Sequence, residues 1–555
     1  MTASPGRSSF RWPSAAEIRW AAAYAALVKL LTCLPYLYGW LIRSSGHYYS
    51  GLLTNPDEHN VYLAYIRQVT DGAFFLIDPF TSEPQAGRVI NLFFLSLGWL
   101  SRIAHLAIPL VYHLARLVSG WLLLMAIYCL GAQILSSMFA RRLSIVLAAF
   151  ASGLGWLFRS ASGQAHPIDY GPCLIMPEAV TSLSLLLNPL FCFSMFLMIV
   201  VVGLGAHALH TESLSSAVLA GLSALLLGNV HTYDLLTVAV VLIASLLVLL
   251  LAGVLTLRAL LLSALIAALA APSLVYQVWL MRSGEVTLAI KAVETPVLSP
   301  EPALVALGLG IPLVLALVGA PYAIGRDGKP TSRILGLWLV VGFALIYVPL
   351  PFQRKLAEGI HVPVILLAAL AVEHLTARAP ARWRVAAAAL LVALALPSNL
   401  LLVSRAVSDL RTNNKAYLGN LMPPLYLRSD QHAALRWLGE RASRSDVLLC
   451  NSFLGSYAPS LSGLRVYLGH WAETLQFRRK LGDLSRFLRA DTPDTAREAF
   501  CRREGITYVL RDRSIYDQVY CLAADGSAAP AFEPDGSPWL KLVYERGSVS
   551  LYRVE

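Results

Sequence analysis

Residues 190–209 read LFCFSMFLMIVVVGLGAHAL, twenty positions without a charge. A helix of that length rises about 30 Å, the thickness of a bilayer's hydrocarbon core. Similar runs lie near 17–42, 111–138, 142–159, 214–230, 235–256, 258–281, 302–324, 334–351, 360–377 and 384–403. With 190–209 they predict about eleven transmembrane helices. The first run is too long for a signal-peptide core and lacks a small-residue cleavage site, so it reads as a span.

The composition agrees. Of 555 residues, 57% are hydrophobic and 14% charged, with mean hydropathy +0.61. Soluble domains carry roughly 25% charged residues. This excludes an ordinary soluble enzyme, a disordered chain and a collagen; 7 Cys in such a length exclude a disulfide scaffold. The charge is uneven: residues 405–555 hold 21 of the 44 Lys and Arg and 17 of the 33 Asp and Glu. We therefore expect a polytopic α-helical membrane domain over 1–404, a linker over 405–429, and a small water-soluble α/β domain over 430–555.

The net charge of +11 invites a nucleic-acid reading. No basic run is interleaved with aromatics as a nucleic-acid groove requires, so no nucleic-acid partner is expected. The basic residues instead follow the positive-inside rule. With a cytoplasmic N-terminus, Arg7, Arg11, Arg19, Arg141, Arg142, Arg258, Arg326, Lys329, Arg333, Arg378, Arg382 and Arg384 all fall inside. An odd number of spans puts the C-terminal domain outside the cell (inner) membrane. Arg354 and Lys355 are then anomalous, standing in a short outer loop, as are Arg282 and Lys291. An anionic lipid phosphate would retain them there; interfacial snorkelling is the structural alternative. Most acidic residues also fall outside, and Lys29 is the main mid-span charge.

The segment 43–110 is a long outer loop, of a length that usually carries function or elements of its own. Asn55-Pro56-Asp57-Glu58 predicts a helix start, with Asn55 at the N-cap, Pro56 at N1 and two carboxylates at the positive dipole end. Tyr62, Tyr65 and Ile66 follow at helical spacing, and Asp78-Pro79-Phe80-Thr81-Ser82-Glu83 lies downstream. A plain helix start explains the tetrapeptide alone. Carboxylates desolvated at a membrane surface, among Tyr and His, favour a site.

An Asp-Glu pair after the first span, followed by Tyr and a short helix, resembles the GT-C superfamily, multi-span glycosyltransferases that use polyprenyl-phosphate-linked sugars. The pair is similar to that of protein mannosyltransferases and of the aminoarabinose and Rgt-type transferases, and the likeness extends to the whole layout. It implies a GT-C-like fold, a polyprenyl-phosphate-linked donor, an acceptor that is a lipid, polysaccharide or protein, and inversion at the outer face. Asp57, then Glu58, would be catalytic: an acceptor hydroxyl needs a carboxylate within reach of its proton. Arg354, with Lys355 behind it, would hold the lipid phosphate, since a guanidinium binds phosphate bidentately.

Tyr62, Asp169, Glu178, His231 and Asp234 are the other expected substrate contacts. Acidic residues of the outer loops bind a divalent metal in oligosaccharyltransferase relatives. No metal-ligand spacing is legible here, so no cofactor is assigned, although a divalent metal is compatible. His231 and Asp234 are three apart and share a helix face; capping helix ends is their structural alternative. The Trp-Trp-Asp-x-Gly motif of oligosaccharyltransferases is absent. Gly469-His470-Trp471-Ala472-Glu473-Thr474 occupies the comparable region, which points away from sequon-directed transfer and towards a monosaccharide transferase.

In the C-terminal domain the pattern predicts helices at 430–442, 471–489 and 494–504, strands at 446–450 and 507–510, and a hairpin over 540–544 and 549–553. Cys450, Cys501 and Cys521 leave open one disulfide or buried thiols. Gly153-Leu154-Gly155 is expected to pack helices closely within a span. A transporter or flippase, and a non-catalytic envelope-assembly partner, are the rival readings of the chain.

Overall fold

The computed structural model describes residues 12–158, 176–283, 294–325, 330–415, 421–521 and 530–555. Contacts divide the chain into two compact units, one of Met1–Leu34, His113–Trp279 and Pro296–Ser404, the other of Pro35–Tyr112, Leu280–Thr295 and Arg405–Glu555.

Among the described residues, eight helices are long and apolar enough to cross a bilayer: Ala15–Leu41, Ile108–Ile134, Pro189–Thr211, Thr232–Leu251, Leu257–Arg282, Pro302–Ile324, Gln353–Leu375 and Ala381–Thr412. Three shorter apolar helices, Leu92–Ala104, Leu214–Val230 and Thr331–Leu345, accompany them. The expected spans at 214–230 and 334–351 are thus short helices. The one expected at 142–159 ends at Phe150, where Ala151 turns to extended backbone. Gly153 therefore lies outside a helix, but it does serve close packing: a Cβ there would stand 2.2 Å from the Gly308 carbonyl oxygen.

Apolar side chains that have no protein to pack against mark the lipid-facing surface. Ile243, Leu247, Leu250 and Leu251 form such an exposed stripe on Thr232–Leu251. The mid-span Lys29 is buried, and its ammonium donates to the carbonyl of Leu185. Arg116 donates to the Leu186 carbonyl at 3.2 Å and to Thr32 Oγ1 at 2.8 Å. Both cations meet the last carbonyls of the helix Thr181–Leu187, the negative end of its dipole.

The second unit is built on a five-stranded sheet. Its strands are β3 (Val447–Leu449), β4 (Arg465–Val466), β5 (Tyr508–Asp512), β6 (Leu540–Arg546) and β7 (Val549–Val554), in the order β4-β3-β5-β7-β6. β3 runs parallel to β4 and β5, while β7 is antiparallel to β5 and β6. Alternation along the central strands divides the core in two. Leu448, Tyr508, Leu510 and Leu551 face one apolar cluster; Val447, Leu449, Val509 and Tyr552 face the other. Each such aliphatic side chain contributes about 1.5–3 kcal/mol by burial.

The expected helices appear at Ser429–Arg441, Phe477–Leu488 and Asp494–Glu504, and the hairpin is β6–β7. A helix Ser452–Ser462 and strand β4 are additional. Arg405–Thr412 completes the long helix Pro397–Thr412, and β2 (Tyr426–Arg428) pairs antiparallel with β1 (His47–Tyr49). Cys450, Cys501 and Cys521 are buried free thiols.

Candidate active site

The helix Pro56–Thr70 starts where the tetrapeptide predicts, but not by the expected cap. Asn55 adopts left-handed backbone (φ 51°, ψ 53°) and its side chain makes no capping bond. Asn is among the few residues that tolerate this region. The sharp entry sets Asp57 and Glu58 in the first turn, where the helix dipole favours negative charge. Val61 and Ala64 enter the sheet's first apolar cluster beside Leu454, Tyr457 and Ala458 of Ser452–Ser462. Arg67 fastens the far end through Asp71 at 2.8 Å and the Leu461 carbonyl at 3.3 Å. Packing by this face leaves Asp57 only 5% exposed. Glu58 stays more open, and its Oε1 accepts from the Tyr62 hydroxyl at 3.3 Å.

Opposite the pair stands His470, which no local sequence pattern marks as a site residue. Its Nε2 lies 3.7 Å from Asp57 Oδ2 and 3.8 Å from Glu58 Oε2. Its Nδ1 accepts from the backbone amides of Ala472 and Glu473, both at 3.1 Å. A nitrogen that accepts two N–H bonds carries no proton, so the neutral ring holds its proton on Nε2, facing the carboxylates.

The loop bearing His470 is stitched in place from both sides. Thr474 Oγ1 donates to the Phe80 carbonyl at 2.7 Å and accepts from the Gly469 amide at 3.0 Å. The Leu475 amide and Lys480 Nζ both reach Thr81 Oγ1, and Lys480 pairs with Glu83 at 2.8 Å. On the other side Gly455 and Gly469 meet backbone to backbone, an approach that no Cβ at either position permits.

A cavity of about 250 Å³ opens here, lined by Asn55, Asp57, Ser452, Ser456, Trp471 and Phe477 among others. Asp57 lines this cavity, and its Oδ1 is buried without a hydrogen-bond partner; His470 Nε2 is likewise unpaired. An unmet buried carboxylate oxygen is costly. It fits a group that arrives with a proton, such as a hydroxyl.

The first unit holds the other expected residues. Glu178 is buried and pairs with Arg354 at 3.0 Å. Lys355 Nζ sits 4.8 Å from the centre of the Tyr233 ring. His231 and Asp234 do share a helix end, and they meet Glu358, which no local spacing pairs with them: His231 Nδ1 is 3.0 Å from Asp234 Oδ2 and 3.3 Å from Glu358 Oε2. Asp169 lies outside the described residues.

No protein-family sequence model matches the chain, and no curated protein matches it in sequence. Its backbone does match solved structures. Oligosaccharyltransferase AglB from Archaeoglobus fulgidus, in complex with an inhibitory peptide and a dolichol-phosphate, aligns over 92% of this chain and 71% of its own, with TM-score 0.55 and 14% identity. ArnT from Cupriavidus metallidurans, bound to undecaprenyl phosphate, aligns over 97% and 98%, with TM-score 0.52 and 10% identity.

The fold is that of the GT-C glycosyltransferases. A third GT-C structure, the mycobacterial arabinofuranosyltransferase AftD, aligns over 98% of this chain but only 40% of its own, with TM-score 0.54 and 15% identity. AglB has also been solved in complex with Zn and sulfate. In the present chain, His231, Asp234 and Glu358 are the group of potential metal ligands found among the described residues, with ligand atoms all within 4.8 Å of one another. Their donor set fits a divalent ion: both Asp234 oxygens and Glu358 Oε2 are buried without hydrogen bonds.

Proposed function

We propose that the protein is a membrane glycosyltransferase that moves a sugar from a polyprenyl-phosphate donor to an acceptor hydroxyl, with inversion, at the outer face of the inner membrane. The carrying observation is the buried Asp57, a residue that lines the cavity and has one carboxylate oxygen without a hydrogen-bond partner, in a chain of this fold. Support for the donor comes from the fold's relatives, whose structures hold dolichol-phosphate and undecaprenyl phosphate.

In this reading Asp57 Oδ1 takes the acceptor's proton as the acceptor oxygen forms its bond to the sugar's anomeric carbon. The bond from that carbon to the phosphate oxygen breaks, and polyprenyl phosphate departs with the electron pair. His470 Nε2–H faces Asp57 Oδ2 and so directs the basic oxygen towards the cavity, while Glu58 adds negative charge at the mouth and Tyr62 fixes its orientation. The exposed Trp471 offers an apolar face on which a sugar ring can lie. Arg354 and Lys355 supply positive charge for the donor phosphate, with Glu178 orienting the guanidinium. Asp169 is a further proposed contact.

Mass spectrometry of lipid retained by the purified protein tests the proposal. Polyprenyl phosphate or its sugar ester is expected. A preparation that retains only bulk phospholipid, and that does not bind added polyprenyl phosphate, would refute it.

A further inference from the structure

The membrane body buries a cluster that the transfer step above does not use. His231 stands at the bend between Leu214–Val230 and Thr232–Leu251, Asp234 in the first turn of the second helix, and Glu358 just after the turn Gln353–Ala357. The Asp234 and Glu358 side chains are 1% and 0% exposed. Ser194 satisfies one Glu358 oxygen, while the other, both Asp234 oxygens and His231 Nδ1 have no hydrogen bond.

Desolvating a carboxylate without a partner costs several kcal/mol per ion. Two converging on one imidazole nitrogen demand a positive charge between them. The spacing indicates which kind. Ligands about 2.0–2.1 Å from a small divalent ion stand about 3.4 Å apart if tetrahedral and about 3.0 Å if octahedral. The observed separations from Nδ1 are 3.0 and 3.3 Å, and the three ligand atoms all lie within 4.8 Å of one another, so the two carboxylates close on one ion by side-chain rotation. A neutral imidazole and two carboxylates also leave no net charge around a divalent ion. One nitrogen with two oxygens is a set of borderline softness, suited to Zn²⁺ and its transition-metal neighbours rather than to Ca²⁺.

We propose that His231 Nδ1, Asp234 and Glu358 bind one Zn²⁺-class divalent ion, which clamps the helix Thr232–Leu251 to the segment Gln353–Glu358. That segment carries Arg354 and Lys355, and Lys355 already lies over Tyr233 of the same helix. The ion therefore fixes where these two cations stand. The assignment is independent of the transfer reaction, because it is read by metal content and not by activity.

The test uses the full-length protein purified in detergent from zinc-supplemented cells. Metal analysis is expected to find about one equivalent of zinc per chain. Chelator-stripped protein is then titrated with Co²⁺, read by its visible absorption, and with Zn²⁺, read by its melting temperature. Both signals should saturate near one equivalent. Asp234→Asn and Glu358→Gln each remove a buried charge, so both are expected to fold. Each should lose more affinity than the roughly 10- to 100-fold that an outer-shell partner costs. Wild-type protein that binds neither ion, with variants of raised melting temperature, would overturn the site in favour of a shared proton. An ion held equally by wild type and both variants would overturn it too.

Discussion

Gly455 offers a test of the site that never touches its chemistry. It lies where the helix Ser452–Ser462 passes the chain leading into His470. A Cβ added there would stand 2.1 Å from the Leu468 carbonyl oxygen and 2.9 Å from Gly469 Cα, where ordinary contact begins at 3.4 Å. Gly455→Ala must therefore part the two backbones by the difference, about 1.3 Å. Overpacking of this kind costs about 1–3 kcal/mol of stability. It also carries His470 away from Asp57, and a displacement of about 1 Å in a catalytic group costs about 100-fold in rate. Gly482→Ala is the control: it sits on the exposed side of Phe477–Leu488 with nothing within 4 Å of the added atom. That substitution should gain about 0.5–1 kcal/mol of helix stability and leave turnover unchanged. Both variants are compared by thermal melting and by the initial rate of polyprenyl-phosphate release, well below the melting range. A Gly455→Ala protein with wild-type rate and stability would refute the packing argument and the placement of His470.

Other substitutions probe the same unit. His470→Ala removes an N–H that stands 3.7 and 3.8 Å from the two carboxylates, beyond hydrogen-bond length, so its effect is electrostatic and turnover should fall about tenfold in steady-state assays. Lys480→Met breaks the buried end of the Lys480–Glu83 pair, and since Glu83 keeps some access to water, a loss of about 1–3 kcal/mol by denaturant melting is expected. Burial alone would raise the Glu83 carboxyl, but hydrogen bonds from Lys480 and Thr81 outweigh it and hold the pKa below its ordinary value. The pair's contribution is therefore complete above the ordinary carboxylate range and lost as pH falls through the depressed value. Wild type should accordingly lose stability on acidification more steeply than Lys480→Met; equal slopes would contradict the pairing.

Membrane architecture was legible because a bilayer imposes one strong rule, a long run without charge. The rule failed where other physics competes. Residues 142–159 are apolar enough to span, yet the backbone leaves the helix at Ala151 so that Gly153 can meet Gly308. The short helix Leu92–Ala104 went unseen inside a segment read as a loop, although Asn91 caps it by accepting from the amides of Phe93 and Phe94. Asp57 and Glu58 were legible from a local signal, two carboxylates after Pro at a helix start. His231 and Asp234 were legible as a pair for the same reason. Their partners were not, because His470 and Glu358 are brought in by tertiary packing that no local spacing encodes. A His between Gly469 and Trp471 was the nearest available signal.

The central claim is that Asp57 accepts the proton in a sugar transfer from polyprenyl phosphate. A single-turnover assay tests it most directly, with purified wild type and Asp57→Asn in proteoliposomes holding a labelled polyprenyl-phosphate sugar and a membrane-extract acceptor. Loss of a general base predicts a rate about 10²- to 10⁴-fold lower. Because Asn removes a buried charge, melting should be unchanged or higher. An Asp57→Asn protein that transfers at the wild-type rate, or that loses transfer only in proportion to lost folding, would contradict the account.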